Sequence, residues 1–391
     1  MKISLALSGG GFRATVFHLG MLARLARENR MEDVILLSTV SGGSLCAGLA
    51  FALNGFEWPG SQTFLAKVEP QARQLLTTFD LQGSLLRRVF GTFWNVLETR
   101  AGDLSALMQK HWNITASLKD LPRSPRWMIN ATCYETGKNW RFERYRMGDY
   151  LFGYTNDTDL PVSDAMAASS GFPGLIGALE VKAGGRKWFK YQAKTDPSLK
   201  IVEQDQEESW SKVTVEPKYP GAHLWDGGVY DNHGLEGIHD FRTGWSQRFG
   251  FLIVSDAAGR GGEEKYRKGI SAMMRLSTGI MMNQVRSLRT RAIIERLANH
   301  PNEDQGVFLQ TGNTCRYIIE SAKHADWLPQ FCEGAMPQEE VDRAATMGTV
   351  IRKLTAKEYE RLYHHGYEVA DATLCAYYPE IFQHQPFVRG V

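Results

Sequence analysis

The stretch from Val34 to Phe56 carries no charged residue and is broken at its centre by Ser41-Gly42-Gly43-Ser44. Its first half, Val34-Ile35-Leu36-Leu37, reads as a buried strand, and its second half, Leu45–Leu53, is apolar and helix-compatible. A run of this length would pass a hydropathy test for a membrane span. The serine and glycines at its middle argue instead for strand, tight turn and helix inside an α/β core. A serine on such a turn is pushed out of the sheet edge by strained backbone, and small residues must follow it. Gly42 and Gly43 meet that demand. Thr39 fills the first position of the usual Gly-x-Ser-x-Gly spacing, so only the Ser-x-Gly half is intact. Taken alone, a Ser-Gly-Gly triplet is most often an ordinary turn.

Two other glycine clusters change its meaning. Ile3 to Leu7 reads as a buried strand, followed by Ser8-Gly9-Gly10-Gly11-Phe12-Arg13. A helix is predicted from Ala14 to Arg27, with Val16, Leu19, Leu22, Ala23 and Ala26 at three- and four-residue spacing. Glycines between a strand and a helix start aim N–H groups outward beside the positive end of the helix dipole. Either a phosphate or the oxyanion of a tetrahedral intermediate would suit them. The P-loop lysine is missing, and Ala14 stands where Gly-x-Gly-x-x-Gly needs its third glycine. A bare turn would need one glycine rather than three. Further on, Leu224-Trp225-Asp226-Gly227-Gly228 sets a carboxylate on a turn where little shields it. The plainer alternative for Asp226 is a turn cap.

In this order, Gly9-Gly10-Gly11-Phe12-Arg13, Ser41-Gly42-Gly43 and Asp226-Gly227-Gly228 resemble the oxyanion loop, nucleophile elbow and Asp-Gly-Gly motif of the patatin-like phospholipases of bacterial type. Met128-Ile129-Asn130-Ala131-Thr132 resembles the family's mid-chain strand, and Asp164 to Gly174 its helix and turn before the substrate channel. The resemblance runs from about residue 2 to about residue 260. It departs at Thr39 and at Ser8, where many relatives carry Asp. It implies a three-layer α/β fold with a mostly parallel central sheet, helices on both faces and C-terminal helices packed on the core. It also implies a Ser-Asp dyad without histidine: Ser41 as nucleophile, Asp226 as general base, and Gly10, Gly11 and Gly42 as oxyanion donors. Gly9 and Arg13 would meet the substrate, Arg13 through a phosphate; the alternative for Arg13 is a carboxylate partner on its own helix. The implied activity is that of a lipid acyl hydrolase, phospholipase A- or lysophospholipase-like, working through an acyl-enzyme without cofactor or metal. Its substrate would be a membrane phospholipid or other lipid ester, with peripheral membrane contact. A regulated effector of a bacterial toxin or defence system, answering to a regulatory partner, and a non-catalytic lipid-binding relative are the alternatives. Among the histidines, His223 is the most credible rival base, although its place before the turn points it away from a site reached by Asp226; His233 and His18 follow.

The remaining sequence bounds this reading. Net charge is +2, with no basic stripe interleaved with aromatics, so neither a polyanion nor a nucleic acid is expected as partner. The five cysteines are odd in number and lack C-x-x-C spacing, which suggests a reducing compartment with neither disulfides nor zinc. No signal peptide is visible, so a cytoplasmic protein is expected. Asn156-Asp157-Thr158-Asp159 lacks the glycine and terminal glutamate of a calcium loop and reads as surface.

Residues 57–127 read as mainly helical. Leu75 to Leu97 is expected to cover the sheet, with a lid or membrane contact as its alternative. Glu180 to Tyr191 reads as a hairpin about Gly184-Gly185, 192–219 as an exposed insertion, and Phe251–Asp256 as a core strand. Lys265 to Asn299, rich in Met and Arg, reads as one or two long helices packed on the core, with methionines lining a lipid channel as the alternative. A strand is expected near Val307 and a closing helix over Ala356–Leu374. The chain thus divides into a hydrolase core, 1–260, and a mainly helical extension, 261–391, that does not stand alone.

Overall fold

Strand β1 (Ile3–Leu7) is wholly buried and alternates between two apolar clusters. Ile3, Leu5 and Leu7 face the larger one and Ala6 the smaller, as the period of two requires for a strand covered on both sides. The structure is a computed structural model that describes residues 1–89, 100–193, 210–239, 244–245, 249–260, 263–300 and 305–388.

After β1 come α1 (Gly11–Arg27), β2 (Val34–Thr39) and α2 (Gly42–Ala52). The uncharged stretch is therefore a strand and a helix, and no helix among the described residues is long and apolar enough to cross a membrane. Helices α3 (Glu69–Thr78), α4 (Leu81–Val89) and α5 (Arg100–Trp112) lead to β3 (Arg126–Cys133). Residues 90–99, within the apolar stretch ending at Leu97, lie outside the described residues. Strands β4 (Lys138–Phe142), β5 (Met147–Asp149) and β6 (Gly153–Thr155), helix α6 (Val162–Ser169), and strands β7 (Leu179–Lys182), β8 (Trp188–Ala193), β9 (Trp210–Val215) and β10 (Gly221–Asp226) follow. Beyond them lie β11 (Phe251–Asp256), α7 (Ile270–Met274), α8 (Met282–Asn299), β12 (Gly306–Gln310), α9 (Gln338–Thr346) and α10 (Ala356–Tyr377).

The strands form one sheet in the order β12-β11-β1-β2-β3-β4-β5-β6-β8-β9, with β10 paired to β3 and β7. Neighbours from β12 to β3 run parallel; those beyond β3 run antiparallel. Helices cover both faces. Leu19 and Leu22 of α1 and Leu374 of α10 join the larger cluster, while Ile293 and Leu297 of α8 join the smaller. This is a three-layer α/β fold.

One expectation differs from what the sheet contains, and another is left mostly untouched by it. Gly184-Gly185 does not close a hairpin: β7 pairs with β10, at Val181↔Ala222, and β8 with β9, at Phe189↔Thr214. Each strand found a longer ladder elsewhere than its neighbour in sequence offered. The insertion expected at 192–219 lies mostly outside the described residues, its described part being the arms β8 and β9.

Helix α10 lies against α1 at near-contact distance. Gly20 faces the Tyr363 carbonyl and Gly366 the Phe17 carbonyl, so a side chain at either glycine would strike backbone. Arg24 of α1 pairs with Asp371 of α10 inside this seam. The N-terminus of α1 is tied down as well, by Phe12 N–H donating to the Val350 carbonyl (2.8 Å).

Candidate active site

Because β1 and β2 are parallel neighbours, the loops leaving their C-terminal ends lie side by side. Val40 N–H donates to the Leu7 carbonyl (3.0 Å), and Gly43 N–H to that of Ser8 (3.1 Å), fastening the elbow to the glycine loop. Ser41 has φ 48° and ψ −114°, a conformation that L residues rarely adopt and that costs about 1–3 kcal/mol. Its surroundings impose it. The Ser41 amide donates to Ser169 Oγ (2.9 Å) at the end of α6, and Ser169 Oγ meets Ser44 Oγ (2.9 Å). Ser44 Oγ meets Thr39 Oγ1 (2.8 Å), which accepts from Trp127 Nε1 (2.9 Å). Thr39, the departure from the usual elbow, is thus an anchor for the turn. A methyl at Gly42 would approach Ala14 Cβ to 2.9 Å, so the start of α2 tolerates no side chain against α1.

Ser8, the other departure, ties the glycine loop to β11. Its Oγ accepts from Ala257 N–H (2.8 Å), and its carbonyl meets His18 Nε2 (2.9 Å). Gly10 and Gly11 have φ of 145° and 60°, values that favour glycine. The amides of Gly10, Gly11 and Gly42 meet no acceptor among the described residues. They are the unpaired amides expected where helices begin.

Asp226 ends β10, which pairs antiparallel with β3 at Asp226↔Ala131. Its amide donates to the Gly171 carbonyl (3.2 Å), and Thr132 Oγ1 donates to its carbonyl (2.8 Å). The carboxylate accepts from Gly228 N–H (2.7 Å), and Ser41 stands beside it in the wall of the same cavity. Burial pushes its pKa up from 3.8 to about 7, against the opposing pull of the Gly228 amide and the nearby Ser41 hydroxyl. Ser41 and Asp226, far apart in sequence, therefore meet in one cavity wall beside the glycine loop.

They open into a cavity of about 260 Å³, whose wall includes Gly9, Gly10, Arg13, Phe172, Asn232 and Arg286. Arg13 has no carboxylate partner on its own helix, since α1 contains no acidic residue. Its Nε donates to the Ala257 carbonyl (3.1 Å) and its Nη1 to that of Met347. Burial, and then the nearby Arg286, bring its pKa down to about 10. Arg286 chelates buried Asp256 through Nε and Nη2 (2.9 and 2.7 Å to Oδ2). With His233 also beside it, Asp256 lies well below the usual carboxylate range despite its burial.

The histidines are engaged elsewhere. His223 is exposed and paired with Glu135 (2.6 Å). His233 lies 3.4 Å from Asp256. His18 is held by Ser255 Oγ (2.9 Å) and the Ser8 carbonyl, with burial lowering its pKa to about 4. None of the three lines the cavity. Among the described residues, no three His, Cys, Asp or Glu side chains gather as a metal site. A larger cavity, about 620 Å³, lies between α10 and α3 and contains neither Ser41 nor Asp226. Its Arg73–Glu360 and Arg361–Glu340 pairs turn charge upon charge.

Sequence reasoning assigned no role to Ser169, Asn232, Arg286 or the 345–349 loop that closes one side of the cavity. Ser169 and Asn232 lie inside motif-bearing segments, where proximity to Ser170-Gly171 and Asp231 could have drawn notice. The loop has no local signal at all.

A serine on a strained strand–helix turn, a buried carboxylate and a glycine loop thus share one cavity at the edge of an α/β sheet. The chain belongs to the patatin-like phospholipase family, whose sequence profile matches residues 5–238. No curated protein matches. Among solved structures, human GIVD cytosolic phospholipase A2 is similar at 12% identity and a TM-score of 0.47, over 96% of this chain and 60% of that one. Its complex with methyl gamma-linolenyl fluorophosphonate gives 12% and 0.49, over 95% and 57%. VipD from Legionella pneumophila gives 12% and 0.38, over 95% and 66%. The chain spans less than two thirds of these solved chains, and the family assignment rests on the profile alone.

Proposed function

We propose that the protein is a lipid acyl hydrolase of phospholipase A or lysophospholipase type, with Ser41 as nucleophile and Asp226 as general base. The observation that carries this reading is the placement of Ser41, on its strained turn, in one cavity wall with the buried Asp226 carboxylate, whose pKa is raised to about 7. A base tuned near neutrality accepts a proton more readily than an ordinary aspartate. Ser41 Oγ attacks the ester carbonyl as Asp226 takes its proton. The oxyanion forms beside the Gly10, Gly11 and Gly42 amides, each such donor being worth about 10²–10³ in rate. Collapse expels the alcohol, which takes the proton back from Asp226 and leaves an acyl-Ser41 ester. Water, deprotonated by Asp226, then releases the fatty acid and restores Ser41. The Arg13 guanidinium in the cavity wall, with no carboxylate on its own helix, favours an anionic substrate such as a phospholipid, and Gly9 lies in the same wall.

The test is labelling by a fluorophosphonate together with turnover of a phospholipid and lysophospholipid panel. Wild type should label at Ser41 and release fatty acid, and Ser41→Ala should do neither. A well-folded Ser41→Ala protein that still hydrolyses esters would refute the assignment.

A further inference from the structure

Helix α7 runs through a π-helical segment, Arg275–Met281, into α8 without leaving helical backbone. The sequence suggested core packing for this Met- and Arg-rich stretch, yet Ile293 is its one buried residue. The helix is inside out. Its basic side chains Arg286 and Arg289 turn inward, onto Asp256 (2.7 Å) and onto Glu236 and Asp231 (2.9 and 3.5 Å). Most of its apolar side chains before Ile293 turn outward. Ile270 is 80% exposed, Met273 69%, Met281 65% and Ile280 51%, followed by Leu276, Leu288 and Val285. A water-facing helix normally does the reverse, and an exposed apolar patch of this kind marks a docking surface.

We propose that the outer face of this cavity-walling helix docks onto an anionic lipid bilayer. Two observations choose the bilayer. The first is charge: Glu295 is the sole acidic residue between Lys265 and Asn299, and Lys265, Arg267 and Lys268 stand exposed at the end where Ile270 and Met273 project. Lysines and arginines beside an apolar helix face are what anionic head groups attract, whereas two copies of so basic a face would repel. The second is continuity. Thr278, Met282, Asn283 and Arg286 of the same helix line the Ser41–Asp226 cavity, so the helix that would meet the bilayer also walls the cavity. The proposal rests on the lipid-hydrolase reading of that cavity. Ile270, Met273, Ile280 and Met281 do not line it.

The experiment uses the full chain and two substrates. Sedimentation of the Ser41→Ala protein with phosphatidylcholine vesicles, with and without phosphatidylglycerol, reads docking without turnover. Binding should require the anionic lipid and weaken with added salt. The quadruple variant Ile270→Ser, Met273→Ser, Ile280→Ser, Met281→Ser should bind at least about tenfold more weakly. In the Ser41 background it should hydrolyse vesicle phospholipid poorly, yet retain hydrolysis of monomeric p-nitrophenyl butyrate within about twofold. Unchanged vesicle binding by the folded variant overturns the proposal. So does a wild-type dimer that the variant dissolves while vesicles recruit neither form. If vesicles bind as expected but neither substrate is cleaved, the hydrolase reading fails and the docking face stands.

Discussion

Asp226→Asn should separate catalysis from stability in opposite directions. Raising a buried carboxyl from 3.8 to about 7 places about 4 kcal/mol of disfavour on its ionised form. In the folded state the group holds its proton to higher pH than in the unfolded chain. Stability therefore falls as pH rises from about 4 through about 7, and the full cost is present above that. Asparagine keeps the shape, can still accept from Gly228 N–H and carries no charge to bury. Its gain in unfolding free energy over wild type should grow by about 3 kcal/mol between about pH 5 and about pH 8. The same amide cannot take the Ser41 proton, so kcat should fall by about 10²–10⁴. Denaturant titrations of both proteins at the two pH values, with turnover of a soluble ester, read both effects. Wild-type kcat/KM should rise through about pH 7, a range a histidine base near ~6.5 would share, so the substitution and not the pH profile identifies the base. A folded Asp226→Asn enzyme keeping its rate within about tenfold, or losing stability at the higher pH, would refute the reasoning.

Ser41→Gly should abolish fluorophosphonate labelling and raise stability by about 1 kcal/mol, because glycine relieves the strain at φ 48°; a destabilised variant in thermal melts would show the turn is not strained. His223→Ala should cost less than about threefold in kcat, since its imidazole is turned to Glu135 on the surface; a loss matching that of Ser41→Ala would replace the dyad with a histidine triad. Gly366→Ala should destabilise by more than about 2 kcal/mol in chemical unfolding, because the new methyl strikes the Phe17 carbonyl across the seam; a neutral result would mean α10 can slide on α1.

What the sequence disclosed is what local chemistry encodes. The strand ending at Leu7, the three glycines, the strand ending at Thr39 and Ser41 each carry their signal within a few residues. Asp226 was legible as a turn carboxylate for the same reason. Its approach to Ser41 depends on β10 pairing antiparallel with β3, and no period or composition announces a pairing between Asp226 and Ala131. The partners of β7 and β8 were hidden likewise: Gly184-Gly185 licenses a turn but does not choose the ladder. Met273 and Met281 misled because an apolar residue at helical spacing predicts that a face is covered, without saying by what.

The seam between α1 and α10 also sets the order in which the site comes into being. The ribosome delivers Gly10 and Ser41 early, and Gly366 only after more than three hundred further residues. Until then, the Phe17–Gly20 side of α1 has no cover, and the helix whose first turn frames the glycine loop is held on one face alone. Loop closure over such a separation comes late in folding. Ribosome-bound chains stalled before Ala356 emerges should therefore resist fluorophosphonate labelling, although both reacting side chains are already outside the tunnel. A chain assembled in this order completes its site only once α10 has emerged to cover α1.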